Sequence, residues 1–197
     1  MKKHILVFLL VLIVSASMLA STPYYDVGSQ IFTISAGTNV PLTASADNNN
    51  GSWKTLVGVG KNGTHSSMGG YGSLDYEVFV NPYISIGGEL GYQFNFGQDK
   101  SIFSQVPMLF KLSYVPLQGS IEIPISLGAG LNYMSYKGES KINLMAQLTF
   151  GARYFFNEEW GLGLNTGLTV VPEFHSDSVE NGLITFVPIN IAVSYRH

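Results

Sequence analysis

The sequence predicts an all-β fold, a single antiparallel transmembrane β-barrel of about eight strands, and three observations carry that expectation. The first is alternation. In Ile84–Phe96, the residues Ile84, Ile86, Leu90, Tyr92, Phe94 and Phe96 share one parity, and Ser85, Glu89, Gly91, Gln93 and Asn95 share the other. That is a strand with an oily face and a polar face, long enough to cross a bilayer at a tilt, which takes roughly 9–11 residues. The second is composition. Charged residues make up 12% of the chain, against about 25% in soluble domains, yet beyond the N-terminus no apolar run is long enough for a helical span. A barrel reconciles the two, because its apolar residues occupy alternate positions. The third is an export signal at the N-terminus.

That signal comprises Lys2 and Lys3, an unbroken apolar run from Ile5 to Val14, and small residues at Ser15, Ala16, Ser17 and Ala20. Cleavage is expected after Ser17 or Ala20, giving a signal peptide over 1–20 and a barrel domain over 21–197. The apolar run is short for a membrane helix. With no cysteine in the chain, a lipoprotein anchor, disulfides, a thiolate nucleophile and cysteine metal sites are all excluded. The net charge of −3 shows no basic footprint for nucleic acid.

The strands follow in order. The first is Gln30 to Val40, with Phe32, Ile34, Ala36 and Val40 on one side; the polar segment Thr43 to Ser66 comes next. The second, Met68 to Val80, alternates Leu74, Tyr76, Val78 and Val80 with Tyr71, Ser73, Asp75 and Glu77. Asn81-Pro82 turns into the third, Ile84–Phe96, and Gly97 to Lys100 turns out of it. The fourth, Ser104 to Val115, sets Val106, Met108, Phe110, Leu112 and Tyr114 against Gln105, Lys111 and Ser113. The fifth is Ile121 to Met134 and the sixth is Ile142 to Phe155, joined by a polar loop from Tyr136 to Lys141. Asn157-Glu158-Glu159 turns into the seventh, Trp160 to Val170. A polar loop from Pro172 to Gly182 leads to the last, Leu183 to His197. Val106–Tyr114 and Val187–Tyr195 match as a weak internal repeat, each with proline second and Ser-Tyr last.

The connections after strands two, four and six are short, whereas those after one, five and seven are longer and polar. Short periplasmic turns and longer outer loops are the expected asymmetry, and they place both chain ends in the periplasm. Pro107, Pro124 and Pro188 fall within strands, where proline cannot donate to a ladder; bulges or frayed strand starts would accommodate them. An interior just wide enough for side chains suits Gly, Ser, Asn and Gln rather than Phe and Tyr, so the oily face is expected to meet lipid. Asp75, Glu77, Glu89, Lys111, Glu122, Arg153 and Arg196 then form a lumen charge network. Buried charges must be paired, so the network reads as a plug, with a gate or narrow ion path as the alternative.

The signal peptide, the alternating strands and the turns at Asn81-Pro82 and Asn157-Glu158-Glu159-Trp160-Gly161 resemble the small outer-membrane barrels of the OmpA, OmpX and OmpW type, over essentially the whole mature chain. The resemblance implies a monomer in outer-membrane lipid. It also implies recognition of the final strand, Val187 to His197, by the barrel-assembly machinery; family strands usually end in Phe or Trp, whereas this one ends in His197 with Tyr195 two before it. Some barrels of similar architecture are lipid-modifying enzymes. The candidate stretch is Phe174-His175-Ser176-Asp177-Ser178, but Asp177 stands where a His-x-Ser-Asn arrangement needs serine, and Val179 follows Ser178. No catalytic residue, metal site or cofactor is therefore expected. Function is expected in the outer loops, which a rigid barrel displays to a host or cell-surface ligand, with Trp53, Lys54 and Leu56 as contact candidates. The alternatives are an OmpW-like narrow channel for small or apolar molecules and a soluble periplasmic lipocalin-like carrier.

Overall fold

The computed structural model describes residues 23–46, 67–96, 101–136, 138–173 and 182–197. Every regular element among them is a strand: β1 (Gln30–Ala46), β2 (Ser67–Asn81), β3 (Ile84–Phe96), β4 (Ile102–Tyr114), β5 (Ile121–Glu122), β6 (Ile125–Tyr136), β7 (Glu139–Phe155), β8 (Trp160–Glu173) and β9 (Gly182–Arg196). All neighbours are antiparallel, and β1 pairs with β9, which closes the sheet. β5 and β6 both pair with β7 and are two halves of one wall strand. The result is a closed eight-strand barrel.

Proline explains the split strand. Pro124 has no N–H, and the backbone departs from the ladder there: Ile123 N donates to Leu117 O at 3.3 Å, while Pro124 O accepts from Gly151 N at 2.9 Å. Pro107 and Pro188 differ from the expectation of frayed strand starts, since both lie inside continuous strands. Each coincides with a lapse in one ladder. The β3–β4 register jumps from Leu90↔Met108 to Gln93↔Gln105, and the β8–β9 register from Thr166↔Ile189 to Thr169↔Phe186. A missing donor costs no ladder bond at a place where the ladder is already open. A third irregularity, between Pro41 and Thr43, carries β1 past its expected end at Val40 to Ala46. β7 likewise begins at Glu139 rather than Ile142.

Both termini and three tight connections share one end of the barrel. Asn81 Oδ1 accepts from the backbone N–H of Tyr83 and of Ile84, each at 2.9 Å, and Asn157 Oδ1 accepts from Glu159 at 2.9 Å and Trp160 at 2.6 Å. These are Asx turns, the chemistry that makes Asn favourable there. Most of the connections at the opposite end, over 47–66, 97–100 and 174–181, lie outside the described residues.

The two faces are inverted relative to a soluble protein. Leu90, Phe110, Leu164 and Ile191 are 52–63% exposed on the outside, while Glu122, Gln93 and Gln105 are fully buried inside. Holding such apolar side chains in water forfeits about 1.5–3 kcal/mol each, so the outer surface belongs in hydrocarbon, which rules out the lipocalin-like carrier. Exposed aromatics lie toward both ends of the wall, Tyr114, Tyr154, Phe156 and Trp160 at the terminus end and Tyr92, Phe96 and Tyr133 toward the other, as at the two membrane interfaces. The tight curvature of the wall also selects residues. A Cβ on Gly37 would lie 2.1 Å from Ile189 O, and one on Gly87 would lie 1.9 Å from Tyr76 O, so only hydrogen fits at these lumen positions.

Candidate functional site

The lumen is filled in tiers, and each tier follows from register. In the middle, Asp75 sits directly opposite Glu89, a like-charge pair that would be destabilising alone. Gly87 lies between Glu77 on one side and Lys111 on the other, and its missing side chain leaves a channel for the lysine stem. Lys111 Nζ crosses to contact Asp75, with Glu89 at 3.4 Å and Glu77 at 3.9 Å. The remaining carboxylate lone pairs find hydroxyls. Ser73 donates to Asp75 at 2.9 Å, Ser85 to Glu77 at 2.7 Å, and Tyr71 to Glu89. Packing here is close. The polar cavity between Tyr71, Asp75, Glu89, Lys111 and Asn190 is about 20 Å³, room for a single water.

The second charged tier lies at the terminus end. Glu122 faces Arg153 in register and accepts from Arg196 Nη1 at 2.8 Å. Arg196 also donates to Glu158 O at 2.7 Å and Gly119 O at 2.9 Å, and its guanidinium lies over the rings of Tyr24 and Phe155 at 3.9 and 3.8 Å. Tyr25, ahead of β1, inserts beneath the barrel. Its hydroxyl donates to Glu122 Oε1 at 2.5 Å and its ring stacks on Phe79 at 4.0 Å. Ile31, Phe79 and Val115 complete an apolar floor around it. Burial, reinforced by the Glu122 charge, pushes the Tyr25 hydroxyl well above the usual tyrosine range.

Toward the other end the lining changes to buried amides. Asn39 donates to Asn95 at 2.9 Å and Asn132 to Gln105 at 2.6 Å. Packed alongside them is an apolar layer of Phe103, Leu109, Met134, Met145, Val171, Ile184 and Phe186, all buried inside the barrel.

The seven charged residues singled out in the sequence thus all face the lumen, but as two separate groups: Asp75, Glu77 and Glu89 around Lys111, and Glu122 with Arg153 and Arg196. Tyr71, Tyr25 and the apolar layer were not singled out. The parity of Phe103, Met134, Met145 and Phe186 with the polar face is the signal that could have revealed that layer. Trp53, Lys54 and Leu56, like the stretch from Phe174 to Ser178, lie outside the described residues. Among the described residues no group of three or more His, Asp or Glu could hold a metal ion.

A protein-family model matches residues 15–195. An uncharacterised protein of Treponema pallidum is 27% identical over 153 residues, covering 78% of this chain and 69% of that protein. One from Borreliella burgdorferi is 26% identical over 154 residues, covering 66% and 72%. Among solved structures, Neisserial surface protein A superposes with a TM-score of 0.58 at 11% identity, covering 85% of this chain and 96% of its own. The outer membrane protein OprG from Pseudomonas aeruginosa gives 0.56 at 12% identity, covering 90% and 99%. At these identities the likeness is one of fold.

Proposed function

We propose that this chain, which belongs to the protein family matched over residues 15–195 and has the fold of the small OmpA/OmpW-like outer-membrane barrels, is an exported outer-membrane protein that works through its outer loops around a closed lumen. The observation that carries this reading is the filled interior. Clustered charges, buried amides and an apolar layer leave a mid-lumen cavity of about 20 Å³. An interior of that kind supports display rather than porin-like flow. The fold supports a structural or surface-interaction role.

The tight turns support an orientation with the terminus end in the periplasm and the longer connections outside. The segment over 47–66 is the contact candidate, through Trp53, Lys54 and Leu56, toward a host or cell-surface ligand. Deleting Lys54 to Gly63 leaves heat-modifiable migration intact and abolishes binding to cells or matrix; unchanged binding would move the function elsewhere. In planar bilayers the intact barrel gives no large, stable conductance steps, and porin-like steps would refute the closed lumen.

One observation favours a second reading, a narrow path for small apolar molecules. The β3–β4 ladder lapse lies beneath an apolar groove on the outer wall, lined by Ala36, Gly72, Leu90, Tyr92 and Val106. The Pro107 ring fills that lapse from within, with its Cγ 2.8 Å from where a Gly91 Cβ would lie. Uptake of an apolar solute into vesicles, lost when Gly91 and Pro107 are cross-linked through introduced cysteines, would favour that path over loop display.

A further inference from the structure

Ahead of β1, Gly28 N donates to Phe79 O at 2.8 Å and Ser29 O accepts from Phe79 N at 2.9 Å, and the chain before them is held by contacts that the wall does not need for its own pairing. A turn over Asp26–Ser29, closed by Ser29 N donating to Asp26 O at 3.1 Å, has Gly28 at φ +95°, a value that favours glycine. This turn directs Tyr24 and Tyr25 back across the barrel mouth. The segment then meets parts of the wall far from β1. Gln118, in the β4–β5 connection, accepts from Tyr24 N at 2.8 Å while donating to Pro82 O at 2.6 Å and Val115 O at 2.9 Å. Tyr25 reaches Glu122 on β5, and Arg196 at the end of β9 meets the same Glu122 oxygen. Only 3% of Tyr25 is exposed.

Directly inward of this floor most of the lining becomes small. Inward of Phe79 is Glu77, bonded to Ser85 and near Lys111, and two residues along from Ile31, Val115 and Arg196 are Thr33, Ser113 and Ser194. Their side chains pair as Thr33 with Ser194 at 3.0 Å and Ser113 with Ser126 at 2.7 Å. Short hydroxyl side chains do not close a mouth. The Tyr25 ring, seated among Ile31, Phe79 and Val115, does.

We propose that Tyr24–Val27 is a hinged latch over the periplasmic mouth, with Gly28, its N–H released from Phe79 O, as the hinge and Glu122 and Arg196 as the catch, and that its release exposes the hydroxyl-lined layer to small solutes from the periplasm. The latch is independent of what the outer loops bind.

The absence of native cysteine makes the test clean. Ser113→Cys, at a position 1% exposed, reports on the layer behind the latch, and Thr169→Cys, at a fully buried position deeper in the lumen, reports on the barrel as a whole. Each is refolded in detergent and treated with a small charged methanethiosulfonate. With the native latch both react slowly. Adding Tyr25→Ala speeds Ser113→Cys at least tenfold and leaves Thr169→Cys unchanged. Tyr25→Phe, which keeps the ring on Phe79 and loses the bond to Glu122, gives an intermediate rate and guards against failure of the alanine variant to fold. An unchanged rate at Ser113→Cys in either variant, with heat-modifiable migration retained, would overturn the latch. So would equal acceleration at both cysteines, because general loosening would then be the cause.

Discussion

Lys111→Met removes the one cation in contact with Asp75, Glu77 and Glu89 while keeping most of the stem volume, so what it measures is charge. The lysine and Asp75 side chains are 9% and 5% exposed, and Asp75 faces Glu89 across the ladder. Deleting one member of a buried pair costs about 3–5 kcal/mol, because the partner charge is left uncompensated, whereas an exposed pair is worth about 0–1 kcal/mol. The expected loss is therefore about 4 kcal/mol, roughly a thousandfold in the folding equilibrium. Urea unfolding of the barrel in detergent micelles, followed by tryptophan fluorescence and checked by heat-modifiable migration, measures it. Adding Asp75→Asn to Lys111→Met removes one of the stranded charges and restores part of the stability, with a coupling of about 1–3 kcal/mol, as expected for residues in one network. A loss below about 1 kcal/mol would mean that water screens the cluster and that the lumen is not packed as described.

Three further outcomes follow. Gly37→Ala places a Cβ 2.1 Å from Ile189 O and destabilises by about 1–3 kcal/mol or more. Gly72→Ala, on the outer face with nothing nearer than 3.6 Å, is neutral or stabilising by up to about 1 kcal/mol; equal effects in urea titrations would refute the curvature argument. Phe186→Ala, at a fully buried ring, costs about 3–5 kcal/mol if the apolar layer is a packed core, and much less if it is wet. The docked Tyr25 holds its proton above the pH at which a free tyrosine ionises, about 10, because burial and the facing Glu122 carboxylate outweigh the opposing pull of the Arg196 guanidinium, with Arg153 beyond. The docked state therefore binds more protons than the released one, and docking weakens as pH rises past that value. Cysteine reactivity behind the latch should rise there in the native chain and lose that step in Tyr25→Phe.

Period-two patterning carried most of the wall. Ile84–Phe96 was legible to the residue, because a strand between lipid and lumen leaves no position neutral. The seven charges were legible as lumen residues by parity alone. Their grouping was not, because it depends on barrel stagger, which brings Lys111 to Asp75 across the width of β3. The apolar layer was obscured because Phe103, Met134 and Phe186 carry the chemistry of the lipid face on the parity of the lumen face, and composition reads those as noise. The fate of Tyr25 could not be read at all. It lies outside any alternating run, and its partners Gln118, Glu122 and Arg196 are remote in sequence.

The prolines of the internal repeat have a mechanical consequence. The ladder lapses at Pro107 and Pro188 fall between β3 and β4 and between β8 and β9. Counting β5 and β6 as one stave, they part the wall into β9, β1, β2 and β3 on one side and β4, β5/β6, β7 and β8 on the other. Hoop tension in a closed sheet is carried by its cross-strand bonds, and at these two diametrically opposed places the ladder skips consecutive pairs. Squeezed by lateral pressure, such a ring flattens into an oval about those two lines, each half bending as a stiff shell. Amide exchange along the wall should therefore begin at Gly91–Tyr92 and Gly167–Leu168 and spread outward from both.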